Sequence, residues 1–287
     1  MAAKLNSMWR TLKRIWQLWM FYAKLDLLLL ISDVRLALIY FSSELLTSIG
    51  SVIGLLLLAQ RFDGIGTWTL NHLYVLLGYS TLVLGILNTF FNYNLSLISR
   101  RIGRGQLDHV LVQPQPLWMI FITEGFAPLS GLMGLIPGIL LFAWGLIGLG
   151  VSLDLGWWAL LVLNLFASGT IMMSFNYIWG SLAFVAPRSS EEISSSASRL
   201  LDQLKVYPLD GLGGLLLGSL MTVAPVGLVA WYPVRALLGL NSSAWSIWIT
   251  PLAALFMLGI ALFCFLKGLG YYATTGSQRY SSLGHRS

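Results

Sequence analysis

Few side chains in this sequence could do chemistry: three histidines, one cysteine and eleven carboxylates among 287 residues. His72, His109 and His285 lie far apart, with neither an HExxH pair nor a cysteine cluster of zinc spacing, so no metal centre is expected. Cys264 stands alone and permits no disulfide within the chain. No apolar run pairs a serine in a GxSxG setting with a histidine, and Asp210 in Pro208-Leu209-Asp210-Gly211 lacks the neighbouring carboxylate that aspartyl chemistry needs. Nor is there a Gly-x-x-x-x-Gly-Lys-Ser/Thr loop to cradle nucleotide phosphates. The remaining candidates are polar residues inside apolar runs. Glu44 shares a helical stripe with Tyr40, Thr47, Ser48 and Ser51; Asn88 and Asn92 share another with Ser96 and Ser99; Asn164, Ser168 and Asn176 form a third, and Glu124 sits near the start of its own run. A lipid-facing acid would cost on the order of 3 kcal/mol, so Glu44 should face protein or water. Glu44, Ser48, Asn88, Asn92 and Glu124 are therefore candidates for a substrate or proton site, or for interhelical struts.

The elements that must position these residues follow from the solvent. At 57% hydrophobic and 10% charged residues, with a mean hydropathy of +0.78, the chain is far from the roughly 25% charged content of soluble domains and belongs in a bilayer. The net charge of +6 then reports topology, and no nucleic-acid partner is expected. Crossing the hydrocarbon takes about 20 apolar residues. Six runs qualify, 36–59, 72–98, 118–149, 157–186, 211–231 and 246–268, and the alternating ten-residue pattern of a barrel is absent. An all-helical integral membrane fold is expected.

Lys4, Arg10, Lys13, Arg14, Lys24 and Arg35 precede the first run, Arg100, Arg101 and Arg104 follow the second, Arg188, Arg199 and Lys205 the fourth, and Lys267, Arg279 and Arg286 the sixth. Only Arg61 and Arg235 fall on the other side, which places both termini in the cytoplasm. Residues 1–35 carry Leu5, Met8, Trp9, Leu12, Ile15, Trp16 and Trp19 at helical spacing among basic residues, as in a helix lying at the headgroups; a basic tail that enforces topology is compatible too. Residues 269–287 make a cytoplasmic tail, and the polar stretch 187–207 reads as an exposed cytoplasmic connector or a second partner contact. Pro128, Pro137 and Pro225 should kink or break their helices. GxxxG matches at Gly50/Gly54, Gly134/Gly138 and Gly214/Gly218 suggest close packing.

Between the second and third runs lies Arg100-Arg101-Ile102-Gly103-Arg104-Gly105-Gln106-Leu107-Asp108-His109-Val110-Leu111-Val112-Gln113-Pro114-Gln115-Pro116. A basic, glycine-containing turn followed by the amphipathic Leu107/Val110/Leu111 step and two prolines suits a short helix parallel to the membrane. Arg104, Gly105, Leu107 and Asp108, with Leu111, Pro114 and Pro116, resemble the Gly-x-Leu-Asp-x-x-Leu-x-x-Pro-x-Pro signature of ABC-2 family permeases, in particular a six-span branch of export permease components. Tyr207-Pro208, Pro225-Val226, Tyr232-Pro233 through Leu238-Gly239, and Arg279-Tyr280-Ser281-Ser282-Leu283-Gly284 are similar to later landmarks of that branch. Gln113 and Gln115 depart from it, since Arg or other residues are usual there.

The resemblance implies a type V exporter-like transmembrane domain, the permease half of an ATP-binding cassette exporter in the inner (plasma) membrane. Two such halves, identical or paralogous, would combine with two separate ATP-binding subunits that carry the ATP and Mg, this chain binding no cofactor and having no ATPase site of its own. About 100–116 would be the coupling helix, with Arg104, Gly105, Leu107, Asp108, Leu111, Pro114 and Pro116 seated on the ATPase. The double substitution Leu107→Asp with Asp108→Arg is then expected to uncouple hydrolysis from transport and leave the membrane fold intact. The cargo would be hydrophobic or amphipathic. Two other readings compete: an ion-coupled secondary transporter using Glu44, and a structural membrane protein without transport.

Overall fold

The computed structural model describes residues 2–61, 68–96, 98–241, 243 and 245–277, and its regular elements are helices. In chain order these are α1 (Ala2–Ser32), α2 (Val34–Arg61), α3 (Leu70–Ser96), α4 (Ile98–Gly103), α5 (Leu107–Leu111), α6 (Leu117–Thr123), α7 (Pro128–Leu149), α8 (Leu155–Gly180), a 3-10 turn (Ser181–Phe184), α9 (Pro187–Leu204), α10 (Gly214–Thr222), α11 (Val226–Val229), α12 (Trp231–Leu237) and α13 (Ser246–Thr275). Five stretches among the described residues are long and apolar enough to cross a membrane: Met8–Ser32, Leu70–Asn92, Pro128–Leu149, Leu155–Phe184 and Ser246–Thr275. The expected first run, 36–59, lies within α2. The side chains of Glu44 and Ser48 on that helix lie outside the described residues.

Glycine sets the central helix pair. Gly85 meets Leu135, Gly138 meets Leu82, Gly78 meets Phe142, Gly145 meets Val75 and Gly131 meets Thr89, so α3 and α7 run antiparallel, backbone against backbone. A Cβ built on Gly138 would lie 2.9 Å from the Leu82 nitrogen, and one on Gly85 would lie 2.8 Å from the Leu135 nitrogen. Small residues allow this approach, which is how helices gain contact energy where the surrounding lipid is as apolar as they are. Among the described residues, Gly134/Gly138 alone of the three GxxxG matches packs on another helix; at Gly50, Gly54, Gly214 and Gly218 a methyl group would meet nothing within 4 Å. Gly138→Leu should therefore lower the thermal midpoint in mild detergent by the equivalent of about 2–3 kcal/mol, whereas Gly218→Leu should leave it unchanged. Equal midpoints for the two variants would contradict this packing.

The third run, 118–149, is two helices rather than one. Pro128 is the first residue of α7, and Ala127 before it is held out of the helical region at φ −133°, as a residue preceding proline usually is. Pro137 sits inside α7. Ala127 has no side chain to cap α7, and the cap arrives from α1: the Asp26 carboxylate accepts from the Leu129 and Ser130 backbone N–H groups at 2.9 and 3.2 Å and from the Ser130 hydroxyl at 2.6 Å. Trp19, two turns earlier on α1, donates its indole N–H to the Ile122 carbonyl and stacks on Phe126. Both anchors of α1 are at the end of the bundle that carries Arg100 and Arg101.

The fifth run, 211–231, is corrected. It is not one span but the short helices α10 and α11 and the first residue of α12. Gly211 turns the chain at φ +84°, and Pro225, which lacks an N–H to continue a helix, separates α10 from α11. Asp210 before the segment hydrogen-bonds Trp231 at its end and Arg235 beyond it, so the chain leaves and returns at one level. The stretch 187–207 is corrected as well: it is no connector confined to one end of the bundle. Glu191 in α9 pairs with Arg100, beyond the end of α3, while Asp210 takes the indole N–H of Trp68, just before the start of α3. Since α3 is 27 residues long, about 40 Å at 1.5 Å per residue, the chain from 191 to 210 passes along the bundle from one end to the other. Ser198 bonds Asn176 of α8 on the way, and Leu201, fully buried, joins the main core with Leu73, Ile171 and Val229.

Candidate functional site

The stretch 98–116 folds as two short helices about a glycine turn. Gly105 at φ +71° reverses the chain between α4 and α5, in a region that L side chains rarely adopt. Leu107 and Val110 are buried in a second core with Ile98, Ile102, Ile120, Phe184 and Phe265. The Tyr272 hydroxyl near the end of α13 donates to the Asp108 carboxylate at 2.5 Å. What faces outward is the rest: Arg104, Gln106, His109, Gln113, Pro114 and Pro116 are exposed, Leu111 is 41% exposed and Val112 81% exposed. Leu107 and Asp108 thus hold the element to the membrane helices, and the tip at Leu111–Pro114 is left exposed.

Three arginines tie this element to its neighbours. Arg101, nearly buried, donates to Glu124 at 2.6 Å and to the Asn94 side-chain oxygen at 2.5 Å, and lies over the Phe121 ring. Glu124 is therefore the partner of a basic residue at the Arg100 end, and Asn92 is close by, its backbone N–H donating to the Gly125 carbonyl. Arg100 and Arg104 share Glu191 of α9 at 2.8 and 3.3 Å. Both are partly exposed, so each pair is worth less than about 1 kcal/mol, and their effect is to fix position. Tyr22 and Asp26 of α1, Asn92, the three arginines and Glu124 surround a cleft of about 940 Å³ beside the element.

Of the residues singled out from sequence, the structure brings Asn92 and Glu124 together here, and leaves Asn88 half-buried about one turn back on α3. The third stripe ties helices together: Ser168 bonds the Tyr79 hydroxyl at 2.9 Å, and Asn176 bonds Ser198. Sequence reasoning did not find Tyr272 or Glu191, whose partners Asp108 and Arg100 are 164 and 91 positions away. It also passed over Asp210. That carboxylate accepts from the indole N–H groups of Trp68 and Trp231, the latter at 2.6 Å, and from Arg235, which also donates to Asn241 at 3.0 Å and lies over the Trp231 ring. Burial raises the pKa of the neighbouring Tyr232 hydroxyl, with Arg235 acting to lower it. The cluster closes the end of the bundle opposite Arg100.

An apolar groove of about 410 Å³ opens between α6, α8 and α13, walled by Phe91, Trp118, Phe121, Met173, Leu262 and Phe265. No group of three or more metal-ligating side chains occurs among the described residues.

No curated protein and no solved structure matches the chain. The family pattern described as "ABC-2 family transporter protein" matches residues 45–276, a range that begins inside α2 and runs past the end of α13. Such a match over most of a helical chain with five membrane-length stretches identifies an integral membrane component whose partner is an ABC ATP-binding subunit. The chain belongs to the ABC-2 transporter family.

Proposed function

We propose that this chain is the permease half of an ATP-driven exporter, with both termini in the cytoplasm of an inner-membrane protein. Two copies, or one copy and a paralogue, work with two ATP-binding subunits that hold the ATP and Mg. The observation that carries the reading is the two-sided element 98–116, buried through Leu107 and Val110 and exposed through Leu111 and Val112. An ATPase groove that takes the Leu111–Pro114 tip would push on α9 through Glu191 and on α13 through Tyr272. Closure of the ATPase would thus reach two helices that run toward the opposite end of the bundle. The apolar groove beside α13 and the polar exposed face of α9 together suit an amphipathic cargo. Export as the direction rests on the resemblance of the element and of the later landmarks to export permeases.

The test is purification of the full chain from its native membrane in mild detergent, followed by identification of what accompanies it. A P-loop ATPase that co-purifies, with flux that stops when its nucleotide site is disabled, is the expected result. A chain that purifies alone and moves solute on an ion gradient would overturn the exporter reading.

A further inference from the structure

Helix α9 is far too polar for the place it occupies. Ser198 bonds Asn176, which lies inside the apolar stretch Leu155–Phe184, and Leu201 is sealed in the main core. One face of the helix, Ser190, Ser194 and Leu201, is buried, and the other exposes Glu192, Ser196, Arg199, Asp202 and Gln203. Charged residues at such depth face protein or a water-filled path, because lipid cannot solvate them. Two of the three charges past Ser196 cancel: Lys205, only 4% exposed, donates to the Asp202 carboxylate at 2.6 Å. Arg199 does not cancel. Its guanidinium reaches the hydroxyls of Ser195 and Ser196 at 3.5 and 3.4 Å, and among the described residues no carboxylate lies within ion-pair distance of it. Ile193 and Leu200, both exposed, share the adjoining face of the helix, about 100° round from Arg199.

We infer that Arg199 is the anchor of a binding site for the anionic group of an amphipathic ligand, with the Ser196 hydroxyl as a second donor and Ile193 and Leu200 against its apolar part. This rests on the permease reading and deepens it by naming the cargo's charge. A guanidinium fork suits a phosphate or carboxylate through two parallel hydrogen bonds. A second copy related by a two-fold axis along the membrane normal would bring its own Arg199 to the same depth, and Glu192 lies seven residues lower, about 10 Å away along the helix. The partner copy therefore adds positive charge at this level rather than cancelling it.

The experiment titrates the purified full chain, in neutral maltoside micelles, with decyl phosphate and with decyltrimethylammonium, reading tryptophan fluorescence and the thermal midpoint. Decyl phosphate should bind wild type and raise its midpoint, and the cation should do neither. Arg199→Gln should weaken phosphate binding about tenfold or more while keeping the ligand-free midpoint; Arg199→Lys should retain part of the affinity. Repeating the titration in phosphatidylcholine nanodiscs with and without phosphatidylglycerol assigns the source: competition by the anionic lipid points to a bilayer headgroup, no competition to a free cargo, and either supports an anion site. Unchanged phosphate affinity in Arg199→Gln would overturn the inference, as would a switch from dimer to monomer with that affinity intact. Because no ATPase is present, the result stands apart from the co-purification test.

Discussion

Asp210→Ala is expected to lower the stability of the chain by about 3 kcal/mol or more, enough to remove most folded protein from the membrane. The carboxylate is the shared acceptor for two indole N–H groups and one guanidinium, and its side chain is only 14% exposed. Without it Arg235 is left charged against the Trp231 ring with an amide and a carbonyl for company. The same bonds join the start of the 211–237 segment to its end, so the loss is also a loss of topology. Asp210→Asn, which keeps an acceptor and forfeits the charge, should fall between. The double variant Asp210→Ala with Arg235→Ala should lose less than the two single losses added, because removing the arginine also removes the orphaned charge. Thermal unfolding in mild detergent, followed by tryptophan fluorescence, checks all four proteins. An Asp210→Ala midpoint equal to wild type would sink the argument.

A second pair of variants separates fold from docking within one short element. Leu107→Asp places a carboxylate where the leucine is 0% exposed, among Ile98, Ile102 and Phe184, and should cost more than about 4 kcal/mol through lost burial and an unpaired charge. Val112→Asp, at a residue 81% exposed, should change stability by less than about 0.5 kcal/mol. Its effect should appear in the partner: retention of the ATP-binding subunit on affinity resin falls tenfold or more, on the order of 1.4 kcal/mol. The double substitution at Leu107 and Asp108, expected from the sequence to leave the membrane fold intact, should instead unfold the element, because Asp108 is bound to Tyr272. If Val112→Asp retains the subunit as wild type does, the tip is not the docking surface; if Leu107→Asp is as stable as wild type, the element does not rest on that core.

The glycine seam bears on which sequence signals carry information in a membrane helix. Three GxxxG matches look alike in the sequence, and among the described residues one of them meets another backbone. The difference lies in what faces each glycine, and that depends on the rotation of α7 about its own axis against α3. Polar stripes behave in the same way. Ser168 and Asn176 proved to be ties between helices, whereas α9, polar enough to be taken for a connector, runs along the bundle with one side open.

Composition and hydropathy alone determined that this is an all-helical membrane protein, because lipid admits only helices and closed barrels and the alternating pattern of a barrel is absent. The order of residues around Gly105, Leu107, Asp108 and Pro114 marked the element between α3 and α7, because a turn, an apolar step and a proline stop are local features. Only the tertiary structure decided the rest. That Leu107 points inward and Val112 outward is set by the second core, assembled from α4, α5, α6, the 3-10 turn and α13. That Asp26 caps α7, Glu191 holds Arg100 and Asp210 closes the opposite end on Trp68 depends on partners 91 to 142 positions away, for which local pattern has no term. The fifth run reads as a span because hydropathy counts apolar residues; the chain turns back because Pro225 stops a helix and Arg235 pairs with Asp210, and the passage along the bundle falls to α9, whose polar face a hydropathy count rejects.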